Sequence, residues 1–432
     1  TNRREVVALT VWHTYVEQMG DSFGVLVREF NDTVGAKEGI VVSVTKEANA
    51  SSLNEMLIAS AKRDPGASPC PDMAVVYPKI AVELAGLNAL ADLGTLFSKE
   101  ELDRYVSNFL EEGMLGGDTL YILPIAKSTE VLYVNKTLFD RFARDVGIDA
   151  SILATFEGII EAAEKYYVWT DEQTPDIPGD GKTFYYPDVP FNYAMIGFEQ
   201  LGDHFVKNGV LDFDSPVFEK IWDSYFPHAV RGRIAIFDKY ANYLAMTGDI
   251  VCATSTSAGA MFYPKTVTYA DNTREDVTFD VLPYPVFEGG ERVVVQRGGG
   301  MCILKSDGEK ERAAALFLKW LTTPAQNLRF TASTGYMPAM KEAFDLILAN
   351  ELKGIENECV RKALKTTVAM RDDYRFHSPP VSGGFDELQR KFVGRLIGFA
   401  KDAKREYRES MEATTGELFD FVVKKHDFMK DF

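Results

Sequence analysis

Apolar positions along this chain switch between two periods. Val6-Val7-Ala8-Leu9-Thr10-Val11-Trp12 is short, β-branched and nearly all apolar, which predicts a strand buried on both faces of a parallel sheet. Residues 21–31 place Phe23, Leu26, Val27 and Phe30 at helical spacing, and residues 40–45 return to a strand pattern after Gly35 and Gly39. Residues 53–63 read as a helix stopped by Asp64-Pro65-Gly66, and residues 73–77 as a third strand. Such β-α-β-α-β alternation predicts a parallel sheet with right-handed crossovers, whose ligands sit outside the carboxyl ends of the strands.

Further on, Ser98-Lys99-Glu100-Glu101 reads as a capping box opening one helix that carries Leu102, Tyr105, Phe109 and Leu110. Two strand-like runs, 120–125 and 131–134, are joined through Ala126-Lys127-Ser128-Thr129-Glu130, and Pro124 argues against a central strand, so this segment is read as a crossing between lobes. Residues 169–190 are rich in Asp, Gly, Pro and Tyr without periodicity and predict a long irregular loop. Strands are expected at 250–255, 279–283 and 301–304, and a helix over 312–321 that starts near Ser306-Asp307 and stops at Thr322-Thr323-Pro324. From Lys341 on the periodicity is helical, broken at Ser378-Pro379-Pro380.

Composition narrows the function. The 432 residues suit two lobes better than one core, and a formal charge of −17 repels phosphate backbones and anionic lipid surfaces. The longest basic clusters, Lys424-Lys425 and Arg361-Lys362, are soon interrupted by acids, so no nucleic-acid partner is expected. Cys70, Cys252, Cys302 and Cys359 form no CxxC pair, which leaves their disulfide state open. No run reaches the ~18–20 apolar residues of a membrane span. The opening Thr1-Asn2-Arg3-Arg4-Glu5, with no methionine, fits a chain whose targeting segment has been removed.

Catalytic constellations are missing from the pattern. Gly181-Lys182-Thr183 resembles the tail of a phosphate loop, but Asp176 stands where its first glycine belongs. There is no HExxH, no GxGxxG after the first strand and no GxSxG, and the five histidines are unpaired at helical spacing. Neither enzyme chemistry, a cofactor nor a metal is expected. A glycosidase pair using Asp171-Glu172, or Glu130 with a partner, stays open because sequence cannot show carboxylate separation. Aromatics do recur in turns, among them Trp12, Tyr15, Tyr77, Trp169, Tyr193, Tyr263 and Tyr336, as a sugar site needs for stacking against C–H faces.

Several motifs then resemble, in order, the extracellular solute-binding proteins, family 1, of ABC importers, the group of maltose- and glycerol-phosphate-binding proteins. Thr10-Val11-Trp12-His13 looks like the first strand and its ligand-facing turn. Ser128-Thr129-Glu130-Val131-Leu132-Tyr133-Val134-Asn135-Lys136 is similar to the family's hinge segment. Thr247-Gly248-Asp249-Ile250-Val251-Cys252 resembles a strand entry, and Gly298-Gly299-Gly300 a second hinge. Trp320-Leu321-Thr322-Thr323-Pro324 with Thr334-Gly335-Tyr336-Met337-Pro338 matches the closing helix and TGYxP turn.

The resemblance implies a two-lobe α/β fold of the periplasmic-binding-protein type (type II), each lobe a mostly parallel sheet flanked by helices. Residues 1–127 plus 298–332 would form the first lobe and 128–297 plus 333–432 the second. It further implies a monomeric, non-enzymatic protein at the outer face of a bacterial membrane, lipid-anchored or free, closing over a sugar, oligosaccharide or polyol phosphate and passing it to permease subunits. The ligand-binding set carried over is Trp12, His13, Ser51, Ser52 and Tyr77 from the first lobe, Ser128, Thr129 and Gly299 from the crossings, and Phe191, Asn192, Thr256, Ser257 and Tyr336 from the second lobe. Pro78 stands where the glycerol-phosphate subgroup carries an acid, and residues 379–384 lack that subgroup's arginine, which leaves Arg297, or Arg231 and Arg233, as a guanidinium source. A glycoside hydrolase and a lectin-like surface binder are the alternatives.

Overall fold

The structure is a computed structural model that describes residues 5–349, 352–412, 419–430 and 432. Thr1 to Arg4, most of the opening segment discussed above, lie outside the described residues. The chain folds as two compact units, Thr1–Ser128 with Gln296–Val368 and Thr129–Val295 with Ala369–Phe432. Residues 333–368 therefore belong to the first unit, not to the second lobe where the sequence reading put them. Asn327 supplies a physical reason. Its buried amide donates to the Ile125 carbonyl at 2.8 Å and accepts the Ala339 N–H at 2.7 Å, while Met337–Pro338 pairs with Ala126–Lys127.

In the first unit the sheet runs in the order Ile40–Lys46, Val7–His13, Met73–Val76, Gly300–Ile303, Leu123–Pro124. The first three strands are parallel, as the alternation predicts, and Gly300–Ile303 runs antiparallel to both its neighbours, so Leu123–Pro124 points the same way as the first three. Asn31, at the end of helix Glu17–Phe30, fixes the register of the edge strand by bonding both the N–H and the carbonyl of Val42, at 2.8 and 2.9 Å. Phe23 and Phe30 of this helix pack edge-on against Phe317 of helix Gly308–Leu321, which Asp307 caps as expected. The helix predicted after Ser98 is broken into Lys99–Leu102 and Ser107–Glu111. Tertiary contacts override the local pattern there, because Tyr105 turns inward to bond Thr322 at 2.5 Å and Val106 donates its N–H to Ala339.

The second unit corrects the expectation of a mostly parallel sheet. Its order is Phe279–Leu282, Glu130–Asn135, Cys252–Thr256, Tyr185–Pro187, and only the last pair is parallel. Glu130–Asn135 begins directly after the chain enters the unit, so it runs away from the carboxyl ends of its neighbours. Gly300–Ile303 does the same in the first unit. The loop predicted over 169–190 is shorter, since helix Phe156–Asp171 and strand Tyr185–Pro187 occupy its two ends. Helices Pro190–Gln200, Pro216–Val230 and Phe385–Glu412 build an aromatic core around Phe191, Phe205, Phe226 and Phe392. No helix among the described residues is long and apolar enough to cross a membrane.

Candidate functional site

The carboxyl end of the first unit's sheet is built from three separate pieces of chain. Strand Val7–His13 delivers Trp12 and His13, which are 5% and 4% exposed, so Trp12 is a wall of the core and not an open stacking platform. His13 accepts the Tyr15 N–H on Nδ1 at 3.1 Å, stacks on the Tyr15 ring at 5.3 Å and meets Phe23 edge-on at 5.0 Å. Burial, aided by nearby Lys46, pushes its pKa down to about 4, as an imidazole that must accept a hydrogen bond requires. Tyr15 packs further against Phe330, and its phenol is shifted well above the usual range by burial and by the neighbouring Tyr77 and Tyr336. Tyr77, 46% exposed, precedes helix Pro78–Gly86, and Tyr336 follows Gly335, whose φ of 87° makes the turn. Tyr336 thus joins the first unit's group, not the second's. Tyr15 is the member the carried-over set missed, although its place in a turn two residues after His13 was the available signal.

Beside this group the two strands of the crossing are clamped within the first unit. Ser128 and Arg297 exchange backbone hydrogen bonds at 2.9 and 2.8 Å. Gly298 has φ 102°, and a Cβ at Gly299 would stand 2.6 Å from the Val76 carbonyl and 3.5 Å from the Tyr77 ring, so only glycine allows this approach. Lys127, whose side chain is 3% exposed, donates to the Gly298 carbonyl at 3.0 Å and lies 3.5 Å from Glu112, which also accepts from Gln296. Burial lowers the lysine's pKa and Glu112 opposes that shift. Arg297 lies close enough to Tyr77 to act on its phenol. Ser51 and Ser52 open helix Ala50–Lys62, where Ser52 is engaged by the Asn49 cap at 2.9 Å and by Glu47 at 3.3 Å.

In the second unit the carboxyl ends of Tyr185–Pro187 and Cys252–Thr256 meet the start of Glu130–Asn135. Thr129 donates its hydroxyl to the Val295 carbonyl at 2.7 Å and its N–H to Ser257 Oγ at 3.1 Å, and the Ser257 N–H returns to the Thr129 carbonyl at 2.8 Å. Both side chains are fully buried, so they lock the crossing. Thr256 stays partly exposed and caps the turn Ser257–Phe262. Asn192 donates to the buried carboxylate of Glu130 at 3.1 Å. Asp188 accepts the Ser255 hydroxyl at 2.5 Å. Phe191 is 0% exposed within the aromatic core, which removes it from any solvent-facing surface. A charged residue directly ahead of the apolar run 131–134 was the sequence signal for Glu130.

The remaining charged groups weighed from sequence are engaged elsewhere. Arg233 pairs with Glu164 at 2.9 Å and lies 3.8 Å over the Tyr167 ring, and Arg231 lies 4.8 Å over Phe421. Asp171 anchors its own loop by accepting the N–H groups of Gly179 and Asp180 at 2.7 and 2.8 Å. Among the described residues no group of His, Cys, Asp or Glu comes together as metal ligands.

Residues 26–355 match the family model of the bacterial extracellular solute-binding proteins, well over half of the chain. The chain belongs to this family. No curated protein matches it by sequence. Among solved structures this solute-binding protein is similar to the cyclic α-maltosyl-1,6-maltose binding protein of Arthrobacter globiformis, with 18% identity, a TM-score of 0.66 and coverage of 99% of this chain and 100% of that one. It is similar to UgpB of Mycobacterium tuberculosis in complex with glycerophosphocholine at 17% identity and TM-score 0.68, covering 94% and 97%. The sugar-binding protein MalE of Xanthomonas citri is matched at 15% identity and TM-score 0.69, covering 98% and 95%. These likenesses are of fold, and they agree with the two-lobe α/β architecture expected from the sequence.

Proposed function

We propose that this solute-binding protein serves an ABC importer at the outer face of a bacterial membrane, taking up a sugar or related polyol and handing it to the permease unchanged. The observation that carries the reading is the convergence of Tyr15, Tyr77 and Tyr336, from three separate segments, at the carboxyl end of the first unit's sheet. Aromatic rings with hydroxyl tips bind polyhydroxylated rings through C–H stacking and hydrogen bonds together. The names of the similar structures, a cyclic maltosyl-maltose binder and a glycerophosphocholine complex, support the same solute class. A neutral sugar or oligosaccharide is favoured over a polyol phosphate, because Arg231 and Arg233 are engaged with other side chains and, of these three arginines, Arg297 alone stands beside Tyr77, where Glu112 opposes its charge. Binding of the solute by a monomer, which a lipid anchor would hold at the membrane, completes the proposal.

A thermal-shift screen over sugars, polyols and phosphate esters tests it, since a true solute at a hundred times its Kd adds about 2.7 kcal/mol of stability. Tyr336→Ala should weaken that solute at least tenfold in calorimetry while the apoprotein melts unchanged. An unaltered Kd removes Tyr336 from the site. Recovery of hydrolysed product, abolished by Glu130→Gln, would establish the hydrolase instead.

A further inference from the structure

The amino ends of the second unit's strands carry a second hollow. Residues 181–183 and 247–249, which lead into Tyr185–Pro187 and Cys252–Thr256, line a cavity of about 940 Å³. It lies at the opposite end of these strands from Pro187 and Thr256, roughly 13 Å away at about 3.3 Å per residue. Its size suits a ligand of two or three sugar rings. Trp169 and Tyr269 present aromatic rings on its lining, and Lys182 lies 5.8 Å over the Tyr269 ring.

Each acid on this lining is held by a hydrogen bond, and one of them, Glu275, is also matched by a cation. Glu275 binds Arg141 and the Tyr269 hydroxyl, Asp145 accepts the Trp169 indole N–H at 3.2 Å, Asp249 accepts from Thr247 at 2.5 Å, and Asp271 accepts from Thr273. Lys404 is different. It is partly buried, lines the same cavity, and forms no ion pair with any described residue. Burial and the neighbouring Arg408 lower its pKa, so its charge is held at a cost that an incoming anion would remove. With Ile236, Lys404 also lines an adjoining hollow of about 270 Å³ together with Lys401 and Arg408. These three cations recur at i, i+3 and i+7 on one face of helix Phe385–Glu412, and neither Lys401 nor Arg408 forms an ion pair with a described residue. Glu409 and Glu412 border only the smaller hollow. The smaller hollow is lined by Lys401, Lys404, Arg405 and Arg408 against Glu409 and Glu412, a local excess of positive charge opposite in sign to the whole molecule with its 64 acids and 47 bases. Sequence reading missed this face because the acids between its members mask it in the linear order.

We propose that these two joined hollows form a second site, distinct from the tyrosine group, for an oligosaccharide bearing acid groups. Its sugar rings stack on Trp169 and Tyr269, and its anionic group pairs with Lys404, Lys401 and Arg408.

The test titrates the full chain with trigalacturonate, a carboxylated trisaccharide, with maltotriose and with inorganic phosphate. Trigalacturonate should bind in a salt-sensitive manner. Lys404→Gln should lower its affinity at least tenfold and Lys401→Gln with Arg408→Gln should lower it further, with melting temperatures unchanged, while Tyr336→Ala leaves it intact. The proposal fails if trigalacturonate does not bind at millimolar concentration, if the charge variants bind it as tightly as the parent, or if Tyr336→Ala abolishes it. Phosphate competing as tightly as trigalacturonate also overturns it, because the hollow would then recognise a bare anion and not a glycan.

Discussion

His13 ties the candidate site to pH. Its Nδ1 accepts the Tyr15 N–H at 3.1 Å, which only an unprotonated nitrogen can do, and the ring is 4% exposed. Its pKa of about 4 lies below the value of 6.5 for an unburied histidine, so between these values the folded state binds fewer protons than the unfolded chain. The associated stability is fully present above pH 6.5 and drains away as pH falls toward 4. From pH 7.5 to pH 5 the linkage amounts to about 2 kcal/mol for a fully shielded ring, and water at the rim reduces it toward about 1 kcal/mol. The neutral mimic His13→Gln keeps an acceptor for Tyr15 and removes the titration. Chemical denaturation of both proteins at the two pH values should show the parent losing about 1–2 kcal/mol more than the variant. A ring resonance that is absent from His13→Gln should titrate near pH 4 in the parent. Equal acid losses in both proteins, or a ring titrating near 6.5, would refute the reasoning. Because protonation releases Tyr15 from its holding bond, solute affinity should fall over the same window in the parent and stay flat in the variant.

Two further predictions concern the crossing, and a third the long C-terminal helix. Lys127→Met leaves the buried Glu112 carboxylate and the Gly298 carbonyl without their cation, and should cost about 3–5 kcal/mol in denaturant midpoints, partly recovered when Glu112→Leu is added. Gly299→Ala drives a Cβ to within 2.6 Å of the Val76 carbonyl and should cost about 1–3 kcal/mol, while Gly394→Ala, with nothing within 4 Å in the helix Phe385–Glu412, should gain about 0.5–1 kcal/mol in the same melts.

Much of the fold is local and was therefore open to sequence reading. Each of the first three strands is a short apolar run between breakers, and each following helix has its own cap or stop, so Val7–His13, Ile40–Lys46, Met73–Val76 and Gly308–Leu321 fall within a few residues of expectation. The glycine run at 298–300 and the Ser128-Thr129 pair also announce themselves, because close backbone approach restricts which residues fit. What tertiary structure alone decided depends on contacts between residues far apart in sequence. The helix after Ser98 breaks because Tyr105 finds Thr322, and residues 333–368 join the first unit because Asn327 holds Ala339. Phe191 and Tyr336 look alike as aromatics in turns, yet burial sends the first into the core and leaves the second beside Tyr15. The same holds for Lys401, Lys404 and Arg408. Asp402 and Glu406 pair with Arg405 and Lys424, so the hollow that these cations share with Glu409 and Glu412 still carries an excess of positive charge in a sequence dominated by negative charge.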